Sequence, residues 1–142
     1  METTTARKLR QYFRDWLGTS ASSEQDLVDL VEAGLSLKIL EHLLQKGLSR
    51  QEISIIIHPR TLKHRRSRRE PLSREESERA VRTGRILARA QAVLGGRDAA
   101  LRWMRTPKRR FRGKSPLEAI ATEPGGRLVE EMLIQIDEGI FA

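Results

Sequence analysis

The sequence predicts an all-α protein, and three kinds of signal in its 142 residues support this prediction. Aliphatic residues recur every three to four positions over most of the chain, which is the spacing of a helix face. Glycine and proline separate these periodic segments, as expected at helix ends. Three serines are each followed three positions later by glutamate, a capping-box pattern that opens a helix: Ser49 with Glu52, Ser73 with Glu76, and Ser115 with Glu118.

The N-terminal region is expected to contain several short helices. Leu9, Phe13 and Trp16 fall on one face of an amphipathic helix over residues 5–17. We expect this helix to pack on the core or on a dimer mate, although its shape also suits a membrane surface or a partner protein. Two further helices are expected at residues 24–33 and 37–46.

The middle of the chain combines a capping box with an aliphatic segment. Four isoleucines lie among residues 53–57, and the Ser49 cap favours a helix over residues 49–57 against the strand that isoleucine propensity would allow. Pro59 ends that helix because proline disfavours helical geometry in the residue before it. The remaining helices are expected at residues 60–68, 74–94, 97–105, 115–122 and 127–138, with a basic loop at residues 108–114.

The composition argues against an enzyme and against a metalloprotein. The chain contains no cysteine and only three histidines, which lack the spacing of a metal site. The clustered carboxylates Glu118, Glu123, Glu130 and Glu131 have no histidine partner and no glycine-rich phosphate cradle. We therefore expect no catalytic residues, no metal and no cofactor. The lack of cysteine, of a signal-peptide pattern and of a membrane-length apolar run favours a cytoplasmic protein without membrane contact.

Positive charge is concentrated in the middle of the chain. Residues 58–114 contain nineteen Lys or Arg against five Asp or Glu, whereas residues 1–57 contain seven basic and eight acidic residues. Residues 115–142 are acidic, with one basic and six acidic residues. This distribution predicts one surface for a polyanion and a second surface for another partner. Nucleic acid is the first candidate polyanion, and an acidic membrane surface is the weaker second.

The helices expected at residues 37–46, 49–57 and 60–68 have the order and lengths of a helix-turn-helix. In that motif the last helix enters the major groove of DNA, and the helix before it braces the contact. One alternative register would let residues 49–57 read the DNA, but their isoleucines disfavour it. Another alternative is a basic face that is merely solvated. The candidate DNA-binding residues are Arg60, Thr61, Lys63, His64, Arg65, Arg66, Arg68 and Arg69.

Two groups of motifs occur here in an order that is typical of a known family. The first group is Gly34-Leu35, Gly47-Leu48-Ser49, Arg60-Thr61-Leu62 with His64-Arg65, and Leu72-Ser73 with Glu75-Glu76-Ser77. The second group is Ala99-Ala100-Leu101-Arg102-Trp103-Met104, Pro107, the segment from Phe111 to Leu117, Gly125, and the closing Ile136 to Gly139. Together they resemble the Xre/ParS/MbcA family of antitoxins over roughly residues 26–142. One departure is the turn Ile57-His58-Pro59, which is tighter than the family's usual turn.

The resemblance implies a type II antitoxin that is not itself an enzyme. Its partner would be a RES-domain toxin, which consumes NAD+ or transfers ADP-ribose from it, and the C-terminal domain would cover the toxin's active site. The complex would also bind operator DNA and repress its own operon. The residues expected to bind the toxin are Arg102, Trp103, Met104, Lys108, Arg109, Phe111, Arg112, Lys114, Gly139, Ile140, Phe141 and Ala142.

Large side chains and charge give this expectation a physical basis. Trp103, Met104 and Phe111 are large anchors in a chain with only 4% aromatic residues, although Trp103 and Met104 equally suit an ordinary core. Phe111 is expected to be exposed because charged residues surround it. Residues 140–142 form an apolar end that could plug a cleft. The basic loop suits an acidic catalytic cleft, DNA phosphates, or solvent alone.

The predicted architecture is therefore all-α: a Cro-like helix-turn-helix, a long connecting helix and a small helical C-terminal toxin-binding domain. The expected boundaries are residues 1–20 for an N-terminal amphipathic helix, 24–72 for the DNA-binding region, 73–94 for a connecting or dimerisation helix, and 95–142 for the toxin-binding domain. A homodimer within a larger toxin–antitoxin complex is expected, because one module that contacts few phosphates binds weakly at cellular salt. The alternative function is a stand-alone helix-turn-helix regulator whose C-terminal domain dimerises or senses a ligand.

Overall fold

The computed structural model describes residues 3–139. Over this range every regular element is helical, which confirms the predicted all-α fold class. None of the helices in the described range is both long and apolar enough to cross a membrane. Two 3-10 turns, Glu52–Ile55 and Arg109–Phe111, lie between the α-helices. The α-helices are α1 (Thr4–Leu17), α2 (Glu24–Ala33), α3 (Lys38–Gln45), α4 (Pro59–Arg68), α5 (Arg74–Leu94), α6 (Arg97–Arg105), α7 (Pro116–Ala119) and α8 (Glu123–Asp137).

The chain divides into two compact units. We call residues 14–81 the N-terminal unit, and residues 3–13 together with 82–139 the C-terminal unit. The boundaries fall inside α1 and inside α5, so each of these helices contributes residues to both units.

Helix α1 is amphipathic as expected, and its apolar side is covered. Phe13 is 8% exposed, and Trp16 and Leu17 are each 1% exposed. Burial of one large aromatic side chain contributes roughly 1.5–3 kcal/mol. The packing interpretation of this helix is therefore confirmed for the part that carries these three residues.

The segment between α2 and α3 is tied to the start of α5 within the N-terminal unit. The amide of Leu35 donates to the buried hydroxyl of Ser77 at 2.9 Å, and the amide of Leu72 donates to the carbonyl of Leu35 at 2.9 Å. Gly34 precedes this tie with a φ of 90°, and a methyl group there would collide with the carbonyl oxygen of Leu72. Glycine is thus required at this position for both conformation and space.

The segment predicted as a helix over residues 49–57 is shorter and more tightly wound. Its capping box forms as expected, since the amide of Ser49 donates to Glu52 at 2.8 Å and the amide of Glu52 returns to the Ser49 hydroxyl at 3.1 Å. Only Glu52–Ile55 is helical, however, and it is a 3-10 turn. A 3-10 turn places residues i and i+3 on one side, which buries Ile53 and Ile56 together. Branched side chains at neighbouring positions also disfavour a longer α-helix.

The last helix begins earlier than predicted. Pro124, Gly125 and Gly126 fall between the helices expected at residues 115–122 and 127–138, but they lie in the first turn of α8. Thr122 caps this helix by accepting the amide of Gly125 at 3.1 Å, and proline is favourable in a first turn. A methyl group at Gly125 would collide with the carbonyl oxygen of Ala119. These glycines therefore permit close packing and do not break the helix.

Candidate functional sites

The ends of α4 are fixed by unusual residues. His58 is the N-cap, and its Nδ1 accepts the amide of Arg60 at 3.2 Å, while Pro59 occupies the first helical turn. At the other end Arg69 takes the left-handed conformation, with φ 56° and ψ 41°. Residues with a Cβ rarely adopt this backbone conformation, and glycine is the more common residue at this position of a helix end. The helix therefore ends at a position where a long cationic side chain is exposed.

The side of α4 that faces solvent is cationic. Arg60, Lys63, His64 and Ser67 follow one another at helix-face spacing and are all exposed. Arg66 and Arg68 border this face and are exposed too. The face and the Arg69 cap thus gather six of the eight predicted DNA-binding residues on one accessible surface, which we call the α4 face.

Two of the predicted DNA-binding residues lie on the opposite side of α4. Thr61 is half-buried beside the half-buried Leu62, and Arg65 is the third residue on this side. The Arg65 guanidinium holds the Glu76 carboxylate with two hydrogen bonds, from Nε at 3.2 Å and from Nη2 at 3.3 Å. Its Nη1 also donates to Glu70 at 3.2 Å. The structure therefore makes Arg65 a brace between α4 and α5, where the sequence suggested a DNA contact.

Glu76 is the centre of this brace and is 6% exposed. It also closes the capping box at the start of α5, where the amide of Ser73 donates to it at 2.7 Å. Burial by itself raises the pKa of Glu76, but hydrogen bonds from Ser73 and Arg65 outweigh it, so the pKa lies below its ordinary value. Hydrogen bonding to Glu76 correspondingly raises the pKa of Arg65. Sequence reasoning identified Glu76 as a cap but missed its pairing with Arg65.

Helix α6 exposes Arg102, the one cation among its predicted toxin-binding residues, and its Trp103 stacks with a lysine that follows the helix. Arg102 is exposed, whereas Trp103 is half-buried with the ammonium of Lys108 4.9 Å from its ring centroid. This distance suits a cation–π contact, and burial lowers the pKa of Lys108. Met104 is 0% exposed. The core interpretation therefore holds for Met104, which offers no surface for direct contact with a partner.

The loop at residues 108–114, which we call the basic loop, is anchored by Phe111. That side chain was expected to be exposed but is 8% exposed, within the core of the C-terminal unit. The charges around it misled the sequence interpretation, because a 3-10 turn can point one apolar side chain inwards while its neighbours stay in solvent. Arg109, Arg112 and Lys114 are exposed, so the loop displays charge around a buried anchor.

The element that follows the basic loop is fixed by the third capping box. The amide of Ser115 donates to Glu118 at 3.0 Å, and the amide of Glu118 donates to the Ser115 hydroxyl at 3.1 Å. These hydrogen bonds, with a smaller contribution from Lys114, lower the pKa of Glu118. At the far end of α8, Gly139 is exposed with a φ of 74°. The predicted plug at residues 140–142 lies outside the described residues.

The part of the chain that the structure describes gives no support for a metal site. Over residues 3–139, no group of three or more His, Asp or Glu side chains is placed to hold a metal ion. What the geometry offers is binding surface: the cationic α4 face in the N-terminal unit, and the basic loop with α6 in the C-terminal unit.

Comparison with known proteins divides the chain in a similar way. Residues 26–83 match the antitoxin Xre-like helix-turn-helix domain, and residues 89–139 match the antitoxin Xre/MbcA/ParS C-terminal toxin-binding domain. The Antitoxin Xre of Pseudomonas putida strain KT2440 is 40% identical over 119 residues, which cover 83% of this chain and 75% of that protein. The Antitoxin Xre of Yersinia enterocolitica serotype O:8 is 31% identical over 143 residues, which cover 98% of this chain and 96% of that protein.

The fold and these matches define a helix-turn-helix protein with a separate toxin-binding domain. The chain belongs to the Xre/MbcA/ParS family of antitoxins. It is accordingly an antitoxin and not an enzyme. The match of residues 89–139 also speaks against the alternative of a stand-alone regulator, because that segment corresponds to a toxin-binding domain.

Proposed function

We propose that this antitoxin neutralises a RES-domain toxin, one that consumes NAD+ or transfers ADP-ribose from it, by covering the toxin's active site. The C-terminal unit would make the contact with Arg102, Trp103 and the exposed cations of the basic loop. Met104 and Phe111 would support this surface from the core. Gly139 and the apolar residues 140–142 would complete the cover at the chain's end. The protein would act in the cytoplasm, because both proposed partners, the toxin and the operator DNA, would be bound there.

We propose further that the chain represses its own operon by binding operator DNA through the α4 face. The observation that best supports this is the orientation of α4: every Lys and Arg of the helix except Arg65 is exposed, while Thr61, Leu62 and Arg65 turn towards the unit. Arginine suits bidentate contact with guanine, and lysine suits phosphates. A homodimer would place two such faces on a palindromic operator and raise the number of phosphate contacts.

Co-expression tests the toxin half of this proposal. If the gene next to that of the antitoxin encodes the toxin, as the proposal expects, it can be induced alone and together with the full antitoxin while growth and cellular NAD+ are followed. Growth and NAD+ should be preserved only with the antitoxin. Rescue by a chain cut after Leu94 would refute the assignment of toxin binding to the C-terminal unit.

A reporter fused to the DNA upstream of the operon tests the repression half. Changing Arg60 and Lys63 together to alanine should release the reporter while rescue from the toxin is retained. Both side chains are exposed, so the substitution should leave folding intact. Full repression by the double variant would show that the α4 face does not hold the operator. Light scattering of the purified chain checks the proposed homodimer.

A further inference from the structure

The basic loop is closed by its own backbone. The amide of Lys108 donates to the carbonyl of Lys114 at 3.0 Å. The carbonyl of Lys108 accepts the amides of Phe111 at 3.1 Å and Gly113 at 3.0 Å, and the amide of Lys114 donates to Phe111 at 3.1 Å. With so many of its polar backbone groups satisfied internally, the loop has a defined shape before any partner arrives.

Three side chains fasten this closed loop to the rest of the C-terminal unit. Phe111 is buried, and Lys108 stacks on Trp103. Arg110 reaches α8, where its Nη1 donates to Gln135 Oε1 at 3.1 Å and its Nη2 lies 3.8 Å from Glu131 Oε1. The cations used as fasteners are therefore distinct from those available to a partner.

Two arginines of the basic loop do not take part in fastening it to the rest of the C-terminal unit. Arg109 and Arg112 are exposed, and within residues 3–139 neither side chain forms an ion pair or a hydrogen bond. Lys114 is exposed as well, and its charge acts on Glu118. A rigid loop that holds unpaired guanidinium groups in solvent loses little conformational freedom on binding, which favours affinity.

The backbone at Arg112 adopts the left-handed conformation, which glycine adopts without strain. Six residues described by the structure have positive φ and are glycine, the residue that adopts this conformation without strain. Among residues 3–139, the only non-glycine residues that adopt it are Arg69 and Arg112, each with φ 56°. Both are exposed arginines in the basic stretch of the chain. Glycine at residue 112 would relieve the strain but would remove the guanidinium, so the loop accepts a strained backbone where it presents this cation.

The surroundings of the loop favour a protein partner over nucleic acid. Glu131 lies beside Arg110, and Glu118 lies within electrostatic reach of Lys114. Duplex DNA presents a continuous row of phosphates, which these carboxylates would repel. A localised carboxylate pair on a folded protein avoids that repulsion and matches the planar fork of a guanidinium.

We propose that Arg112, assisted by Arg109, is an electrostatic anchor that grips a cluster of carboxylates on the surface of the toxin. This inference rests on the proposed function, because it assumes that the C-terminal unit meets the toxin. The toxin surface would then carry clustered carboxylates, and Arg112 would be the residue that recognises them. It also assigns the left-handed backbone at Arg112 a role in presenting that side chain.

The experiment uses the full antitoxin and its purified toxin, which the proposed function expects to be a RES-domain protein. Affinity is measured by calorimetry over a salt series for the wild type, Arg112→Gly, Arg112→Lys and Arg127→Ala. Arg127 lies on α8 in an exposed pair with Glu123, so its substitution removes the same charge elsewhere on the unit. The melting temperature of each variant is recorded in parallel, together with affinity for a generic 30-base-pair duplex.

Arg112→Gly should bind the toxin about tenfold more weakly and with a shallower salt dependence, while melting at or above the wild-type temperature. Arg112→Lys should recover part of the affinity, and Arg127→Ala should bind as the wild type does. Unchanged toxin affinity in Arg112→Gly overturns the anchor although the antitoxin function stands. If Arg112→Gly loses more affinity for the duplex than for the toxin, the anchor is also overturned and the loop is assigned to nucleic-acid binding. Failure of the wild type to bind the toxin refutes the proposed function itself.

Discussion

Arg65 and Arg66 are neighbours on α4, and alanine substitution should affect them in opposite ways. Arg66 is exposed on the α4 face, and the described part of the chain offers it no ion pair. Arg65 is committed to Glu76 and Glu70. Arg66→Ala should therefore weaken DNA binding without a change in stability, and Arg65→Ala should lower stability with little change in the number of phosphate contacts.

The size of the effect follows from the number of available cations. Arg60, Lys63, Arg66 and Arg69 are exposed and carry no ion pair within residues 3–139, whereas Arg68 lies 3.9 Å from Glu70. At about −0.9 per phosphate contact, these four give a slope of log K against log salt of about −3.6 per chain. Between about 50 and 200 mM salt, the wild type should lose about 150-fold in affinity and Arg66→Ala about 40-fold.

Fluorescence anisotropy with a labelled operator duplex measures these slopes, and thermal unfolding by circular dichroism measures stability. The expected outcome is a slope reduced by about 0.9 per chain and an unchanged melting temperature for Arg66→Ala. For Arg65→Ala the melting temperature should fall and the slope should stay near that of the wild type. If Arg65→Ala reduces the slope as much as Arg66→Ala while melting normally, Arg65 is a DNA contact and the brace is unimportant.

Three other substitutions test the stability side of the same reasoning. Arg69→Gly should gain up to about 1 kcal/mol in urea unfolding, because glycine relieves the left-handed backbone, and its salt slope for DNA should fall by about 0.9. Phe111→Ala should cost about 3–5 kcal/mol in the same assay and weaken toxin binding indirectly, whereas wild-type stability would contradict the burial of this side chain. The lowered pKa of Glu76 contributes stability that is present above its ordinary value of 4.5 and is lost as the pH falls through the lower folded value. Glu76→Gln should therefore be less stable at neutral pH, and its melting temperature should fall less steeply as the pH is lowered. If its melting temperature falls with pH as steeply as that of the wild type, Glu76 is not the source of this pH dependence.

Much of the fold could be predicted because its signals are local. The pairs Ser49 with Glu52 and Ser115 with Glu118 form the capping boxes that their spacing predicted. Such a cap needs only four consecutive residues, so it can be recognised without knowledge of the tertiary structure. The limits of α5 and α6 likewise followed from periodicity and from the glycines between them.

The errors arose where distant residues decide the outcome. Gly125 and Gly126 suggested a break between helices, but they lie in the first turn of α8, where the Ala119 backbone and the Arg82 side chain occupy the space that a Cβ would need. Phe111 was assigned to solvent because of its charged neighbours, although the packing of the C-terminal unit buries it. Neither close approach nor burial is visible in the spacing of nearby residues.

The arginines show why the count of charges alone could not define the binding surfaces. Arg79 donates to the carbonyl of Ile56 at 2.8 Å, and Arg82 donates to the carbonyl of Ile120 at 2.8 Å, so both serve as internal ties of their units. A guanidinium suits this use because several donors in a fixed plane can satisfy carbonyls at turns and helix ends. Nineteen basic residues in one stretch therefore overstate the charge that a partner meets. The binding surfaces are better defined by the exposed arginines that form no ion pair within residues 3–139. Arg112 is one of them, and it also has a backbone conformation that glycine would adopt more easily.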